Sequence, residues 1–395
     1  MKKINYDQFF FNSLNELKTQ GLDRYLKTLI KINPIKIKYK NRVLLNFSSN
    51  DYLGLSQNNI IKRDTIKIIK EYGIGSGSSR LVSGNFDFHE KIETELAKKK
   101  KSEAAIIFST GYLANYSILS SIFSSNLFKK TPIIFSDKLN HQCIYEGCKN
   151  KKINFLRFHH NDINHLEYLL KKNKLKRNPK FILSESVFSM DGDFADIKAL
   201  VYLKKKYNSF LFLDEAHATG IYGDNGFGLS LKYSNDIDCV TGTFSKAFGS
   251  YGAYVSCSEN FKSFLVNKCP SFIYSTSLPF SLLASIYSAI KIMPSLKKQR
   301  KKLIKNSFFL RTLLNKEDFN INNSQTNIIP IIIGSSKKTI LISKELEKKG
   351  FYITPIRPPS VLPNSSRLRI SISSSHHQTD IKRLFNSLKM IKNRI

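Results

Sequence analysis

Short apolar runs alternate with amphipathic stretches through the middle of the chain. The segments "AAIIF" (104–108), "TPIIFSD" (131–137), "FILSESVF" (181–188), "SFLFLDEAH" (209–217), "DCVTGTFSK" (238–246) and "GAYVSCS" (252–258) each read as a strand with apolar residues on both faces. Helical patterns fill the intervals, so the pattern predicts an α/β fold with a mainly parallel central sheet covered on both sides. In such sheets ligands collect beyond the carboxyl ends of the strands. That rule gathers residues 109–111, 185–189, 214–217 and 243–246 around one crevice.

The flanks read differently. Residues 5–31 carry Phe9, Leu14, Leu17, Leu22 and Leu26 at helical spacing, and "NPIKIKYKNRVLLNFSSNDYLGL" then switches to alternation. Beyond residue 285 a long helical pattern leads into "NIIPIIIG", a helix near 337–349, "GFYITPIRPPSVLPNSSRLRISIS" and a last helix, which suits a smaller α+β domain. The expected division is a helical arm over 1–45, a large α/β domain over 46–285 and a small C-terminal domain over 286–395.

Composition narrows the class. A chain of 395 residues with 41 % apolar and 24 % charged positions is globular and long enough for a sizeable core. The net charge of +33 raises a nucleic-acid reading. The lysines are scattered through "IKIKYKNR", "KKNKLKRNPK" and "SLKKQRKKLIKN" without a zinc-finger, RNA-recognition or basic-zipper pattern, so compositional drift accounts for them and no specific nucleic-acid partner is expected. Five cysteines, with no C-x-x-C pair, support neither a disulfide framework nor a metal site. No run approaches the ~20 apolar residues that span a bilayer, and the N-terminus lacks a sustained apolar region, so a cytoplasmic protein is expected.

Three polar residues stand out against the apolar strands. "FLFLDEAHATG" places Asp214 at the end of a fully apolar run and His217 three residues later, and a carboxylate there needs a hydrogen-bond or cationic partner. "TFSKAFG" places Lys246 at the end of the next strand among small and hydroxylic residues, where desolvation disfavours the ammonium and frees the amine for Schiff-base chemistry. A carboxylate for a pyridinium nitrogen and an amine for an aldehyde are what pyridoxal 5'-phosphate requires. The glycine run "GIGSGSSR" follows a helix-like segment rather than a strand, so it fails as a dinucleotide fingerprint and reads as a loop.

With these residues in place, the chain resembles the α-oxoamine synthases, a family of fold-type I pyridoxal-phosphate enzymes. The resemblance runs from "NFSSNDYLGLS" (46–56) to "IRPPSVLPNSSRLRISIS" (356–373) through "STGYLANYS", "DKLNHQCIYEG", "SVFSMDGDFADI", "LDEAHATGIYGDNGFG", "TGTFSKAFGSYGAY" and "FIYSTSLP". It implies an aspartate aminotransferase-like fold with pyridoxal 5'-phosphate as cofactor. It further implies that Lys246 anchors the cofactor and removes the substrate Cα proton, and that Asp214 holds the pyridine nitrogen protonated. His217 and Ser189 would bind the phenolic oxygen, and His141 would stack on the ring and face the substrate. Gly111, Tyr112 and Thr243 would hold the phosphate, while Arg357 would clamp the amino-acid carboxylate and Arg24 would serve the acyl substrate.

The same resemblance implies a homodimer with the active site at the interface, Ser275 and Thr276 reaching across it. The implied reaction joins L-alanine to a pimeloyl thioester, carried on acyl carrier protein or coenzyme A, in biotin synthesis. Other branches that use glycine or serine are the alternatives, with a basic nucleic-acid-binding protein the alternative from another class. Departures are mild: Glu215, Ala218, Ser186 and Ser245 stand where relatives often have Asp, Gly, Gly and Gly, and either serine is expected to crowd the pocket or alter a turn. Arg367 and Arg369 in "RLRISIS" share one face of a strand and suit a structural pair.

Overall fold

The structure, a computed structural model, describes residues 4–124, 126–149 and 153–392, so the outermost three residues of the expected arm and of the C-terminal domain lie outside it. The chain divides into two compact units. One comprises Asn50–Ser189 with Asp193–Leu303; the other takes the residues up to Ser49, the turn Met190–Gly192 and the chain from Ile304 onward. The N-terminal segment thus shares a unit with the C-terminal one, and the division falls inside the long helix Lys297–Lys316.

In the first-mentioned flank the expected 27-residue helix is cut short. Helix α1 spans Tyr6–Thr19 and none of its residues is buried. Gly21, at φ +65°, turns the chain as Leu22 N–H returns to Leu17 O, which ends the helix ahead of the Leu22 and Leu26 positions. Strands β1 (Ile30–Asn33), β2 (Lys36–Tyr39) and β3 (Arg42–Asn46) follow as an antiparallel meander.

The large unit is built on seven strands. They are β4 (Ala104–Phe108), β5 (Ile133–Asp137), β6 (Asn154–Phe158), β7 (Lys180–Glu185), β8 (Phe210–Asp214), β9 (Cys239–Thr243) and β10 (Ala253–Cys257), in the order β4-β10-β9-β8-β7-β5-β6. Only β10 runs against the rest, pairing antiparallel with β4 and β9. Alternate residues serve opposite faces: Phe181, Leu183 and Phe212 join one apolar cluster, and Ile182, Leu211 and Leu213 join the other. Helix α4 (Gly111–Ser124) covers the first face through Ala114, Ile118, Leu119 and Ile122. Helices α6 (Ile163–Lys172) and α7 (Ile197–Lys206) cover the second through Leu166, Leu170, Leu200 and Val201, each started by an aspartate, Asp162 or Asp196, that caps a backbone N–H. This is the two-faced, mainly parallel sheet that the apolar runs predict. Two strand ends differ from expectation: β7 stops at Glu185, and β9 stops at Thr243, so Lys246 sits in the turn beyond its strand.

The chain from Ile304 onward supplies β11 (Ile328–Gly334), β12 (Phe351–Tyr352), β13 (Pro355–Ile356) and β14 (Ser366–Ser371). Strand β12 extends the meander beside β3, and β11, β14 and β13 form a separate antiparallel sheet. Arg367 on β14 is buried and pairs with Asp191 at 2.8 Å, a structural role. No helix among the described residues is long and apolar enough to cross a membrane.

A charged clamp fixes the loops at one edge of the large sheet. His160 places Nδ1 2.9 Å from Asp137 at the end of β5 and Nε2 2.9 Å from Asp193. Burial pulls the imidazolium down, but the two carboxylates outweigh it and raise the group from 6.5 to about 10. Because the folded state favours the proton, the stabilisation is complete below pH 6.5 and fades as pH climbs through about 10. Urea midpoints of the wild type are therefore expected to fall across that window. The His160→Gln variant is expected to be less stable at pH 6 and to show a flatter profile; parallel profiles would refute the clamp.

Candidate active site

The carboxyl ends of β4, β7, β8 and β9 open onto a cavity of about 230 Å³. Its lining includes Gly111, Tyr112, Asn115, His141, Glu185, Asp214, His217, Thr243 and Lys246. Seven of the residues singled out from the sequence thus come together in one unit. Ser189 is buried but is not among the lining residues. Ser275 and Thr276 line a different, smaller cleft with Arg80, His89 and Ser109. Arg24 and Arg357 belong to the other unit, where Arg24 Nη2 donates to Pro358 O at 2.9 Å and Arg357 donates to the carbonyls of Gly21 and Asp23.

Asp214 is the last residue of β8, and its carboxylate is saturated on the protein side. Oδ1 accepts from Ala216 N–H at 2.7 Å, and Oδ2 accepts from Asn115 Nδ2 at 2.6 Å. Glu185 ends the neighbouring strand in direct register with Asp214. Burial and the adjacent Asp214 push the Glu185 carboxyl well above the usual carboxylate range. One Glu185 oxygen accepts the His141 N–H at 2.5 Å, which fixes the start of helix α5 (Gln142–Gly147). Burial also lowers the His141 imidazole, leaving it neutral, and raises the Cys143 thiol to about 12, leaving it inert.

Lys246 Nζ lies 2.8 Å from His217 Nε2, and His217 Nδ1 lies 2.8 Å from the Tyr52 hydroxyl. Tyr52 gives its single proton to Asn50 Oδ1 at 2.9 Å, so the phenol oxygen accepts from Nδ1–H and Nε2 accepts from the amine. The relay Lys246 to His217 to Tyr52 to Asn50 thereby sets both the tautomer and the direction of the lysine.

The opposite corner suits an anion. Helix α4 starts at Gly111 and contains no charged residue; Thr110 Oγ1 caps the Leu113 N–H at 3.1 Å, and Gly111 and Tyr112 line the cavity at that N-terminus. A Cβ at Gly111 would stand 3.8 Å from Thr243 Cβ, which places Thr243 against that N-terminus. Thr243 Oγ1 donates to Gly252 O at 2.9 Å, leaving its lone pairs to the Ser245 hydroxyl at 2.8 Å. The two unusual serines are thus bonded in place: Ser245 to Thr243, and Ser186 through its backbone and hydroxyl to Asp214 O. Ser245 lines the cavity with Lys246, and Ser186 is not among the lining residues.

An electron-accepting ring anchored at one end by a carboxylate and at the other by a phosphate pocket, with an amine between, is the chemistry of a fold-type I pyridoxal-phosphate transferase. The chain belongs to the aminotransferase class I and II family, whose model matches residues 42–388. It is 38 % identical to an 8-amino-7-oxononanoate synthase of Gluconacetobacter diazotrophicus over 97 % of each chain. Among solved structures it is similar to a serine palmitoyltransferase described with PLP as its internal aldimine (TM-score 0.89, 25 % identity, 99 % of this chain and 100 % of that one). It is also similar to the 8-amino-7-oxononanoate synthase of Francisella tularensis (TM-score 0.75, 26 % identity, 89 % and 99 %). The fold is that of the pyridoxal-phosphate-dependent fold-type I enzymes.

The residues fit that cofactor. Among the described residues, Asn115 Oδ1 and Thr241 Oγ1 are buried without a protein partner, and both residues line this cavity. Sequence reasoning missed Asn115 and Tyr52, whose partners lie 99 and 165 residues away, although both stand inside quoted motifs. The trio His159, Asp162 and His165 also brings ligand atoms within 4.8 Å, but His165 Nδ1 accepts the His159 N–H, which leaves the ring proton on Nε2.

Asn115 holds the Asp214 carboxylate at the cavity wall. A hydrogen bond to a charged group is worth about 1.5–3 kcal/mol. Asn115→Ala is expected to weaken pyridoxal-phosphate binding by roughly 10- to 100-fold in equilibrium dialysis of the apoprotein. Unaltered affinity would show that Asn115 only packs.

Proposed function

We propose that this protein is an α-oxoamine synthase of biotin formation, condensing L-alanine with a pimeloyl thioester to give 8-amino-7-oxononanoate, carbon dioxide and the free thiol carrier. The observation that carries the reading is the placement of Asp214 and the Lys246–His217 pair in one cavity beside an uncharged helix N-terminus. The identity to synthases of that name over nearly full length supports the choice of substrates.

Pyridoxal phosphate, when bound, supplies the electron sink that makes the alanine Cα proton removable. The protein's own groups do the rest. Asp214, held by Asn115 and Ala216, keeps a proton on the ring nitrogen. Lys246, once released from the cofactor, takes the Cα proton, and His217 keeps its amine pointed across the cavity. The Gly111 and Tyr112 amides would bind the phosphate, joined by the Thr243 hydroxyl once it turns from Gly252 O; His141 would present a neutral ring to the cofactor face. His217 and Ser189 serve the phenolic oxygen, Arg357 the alanine carboxylate and Arg24 the acyl substrate. Fixed donors of this kind act without reorganising during the reaction.

The working form in this reading is a homodimer. Phe9, Phe10, Leu14 and Leu17 of α1 are exposed in the single chain, an apolar surface that a second copy would cover, and Ser275 and Thr276 would reach the partner's phosphate. The five cysteines are unpaired and buried, as suits a cytoplasmic enzyme. The charge of +33 speeds encounter with an anionic acyl carrier, an acidic carrier protein among them.

One observation favours a second reading: the likeness to serine palmitoyltransferase scores 0.89 against 0.75 for the oxononanoate synthase structure. Purified protein loaded with cofactor is expected to release carrier thiol with L-alanine and a pimeloyl thioester. Turnover confined to serine with a palmitoyl donor, or to glycine with an acetyl donor, would overturn the assignment. A protein without a cofactor band that binds duplex or RNA steeply with salt would return the nucleic-acid reading.

A further inference from the structure

Lys100 is the only lysine buried among the described residues. It closes helix α3 (Asp87–Lys100), where the chain turns away at Lys101 with φ +54°. All three of its ammonium protons are used: Nζ donates to Glu215 Oε2 at 2.5 Å, Phe227 O at 2.7 Å and Ser230 Oγ at 2.9 Å. Glu215, with no exposed surface, accepts Ser230 N–H at 2.8 Å on Oε1 and the Ser230 hydroxyl at 2.7 Å on Oε2. Burial alone would discharge Lys100, but Glu215 and Tyr254 reverse that and raise it above its ordinary value. The result is a closed ring of two charges and one hydroxyl, outside the cavity.

The ring is tied to the cavity by one turn. Glu215 N–H donates to Thr241 O, and the Glu215 carbonyl accepts Ala218 N–H and Thr219 N–H at 2.9 and 2.8 Å. His217 rides on that turn. Gly220, which closes it, has φ +92°, and a Cβ there would stand 2.5 Å from Ala247 Cβ, beside Lys246. Gly228 is moulded to the same carboxylate: its φ is +103°, and a Cβ would lie 2.1 Å from Glu215 Oε2. Tyr254 joins the assembly from β10, with its ring 5.8 Å from Lys100 Nζ and its hydroxyl 2.9 Å from Thr219 Oγ1. An aspartate at 215 would fall a methylene short of these partners.

We propose that the buried Lys100–Glu215 pair is a positioning device for the active site, holding the 214–220 turn so that His217 meets Lys246 and Asp214 keeps its aim. Neither residue touches the cavity through its charge; both act through the turn. The inference rests on the reading of Lys246 as the cofactor-bearing lysine, and it is independent of which amino acid is condensed.

The test separates positioning from mere stability. Lys100→Met strands a buried carboxylate and should lower the thermal midpoint, whereas the double variant Lys100→Met/Glu215→Gln, which removes both charges, should recover most of it. If the pair positions the turn, the double variant keeps a shifted pH midpoint of the visible cofactor band and a kcat lowered by roughly 10- to 100-fold, the effect of a small misplacement. Recovery of the wild-type band midpoint and kcat together with stability would overturn the proposal. Should these variants not fold, Ser230→Ala keeps both charges and removes one bond to each; a shifted band midpoint supports the proposal, and an unchanged midpoint and kcat overturns it. The band is read without substrate, so absence of alanine turnover would count against the proposed reaction alone, and absence of any band would count against Lys246.

Discussion

Two carboxyl groups, Glu185 and Asp214, stand side by side at the buried ends of adjacent parallel strands, and most of the site is a response to that constraint. Like charges at this separation in a dry environment cannot both be held. The structure resolves the conflict unequally. Asp214 receives a side-chain amide and a backbone N–H, while Glu185 receives the single N–H of His141 and is pushed well above the usual carboxylate range. Asp214 is thereby fixed at the cavity wall, and Glu185 anchors the loop that carries His141. The apolar sheet makes this possible: Leu183 and Phe212, two residues before the carboxyls on the same face, are fully buried.

The sheet was legible from the sequence because a strand buried on both faces has to be apolar along its length, and β4 fell on the expected residues. Strand ends were less legible. "DCVTGTFSK" reads as one run to Lys246, yet the strand stops at Thr243, where its hydroxyl turns to Gly252 O and the chain leaves the sheet. The helix expected to residue 31 stopped at Thr19, since periodicity cannot announce the left-handed turn at Gly21. In the site, Asp214, His217 and Lys246 were visible as polar residues against apolar strands. Asn115 was not: it lies inside a helix, and only its contact with Asp214 distinguishes it from any half-polar helical position. Tyr52 likewise gains its meaning from a histidine 165 residues away.

The surplus of positive charge needs no dedicated partner to be tolerated. Apart from the buried Lys100, lysines in the last turns of α3, α6 and α7 stand where the helix dipole accepts them. Their pairs, such as Lys206 with Glu167 and Lys205 with Asp236, are exposed and contribute little individually. The start of the helix Lys297–Lys316 is different, since its cations oppose the dipole there; Arg300 relieves part of this by bonding Met293 O. The fold therefore accommodates the charge on surfaces the core does not use, and any benefit from it lies in the encounter with acidic molecules.

Set against this background, two lysines are treated in opposite ways. Lys100 is enclosed completely and made permanently cationic, because a carboxylate, a carbonyl and a hydroxyl take all three of its protons. Lys246 is half-buried at a cavity wall, and the contact that aims it is an imidazole nitrogen able to accept a proton from the amine rather than a carboxylate that would lock the ammonium in place. In the proposed reaction the amine alternates between bonding an aldehyde and carrying a proton, and that weaker partner suits it. The same side chain is a fixed strut where a carboxylate, a carbonyl and a hydroxyl enclose it, and stands at a cavity wall against an imidazole where the proposed reaction needs a mobile proton.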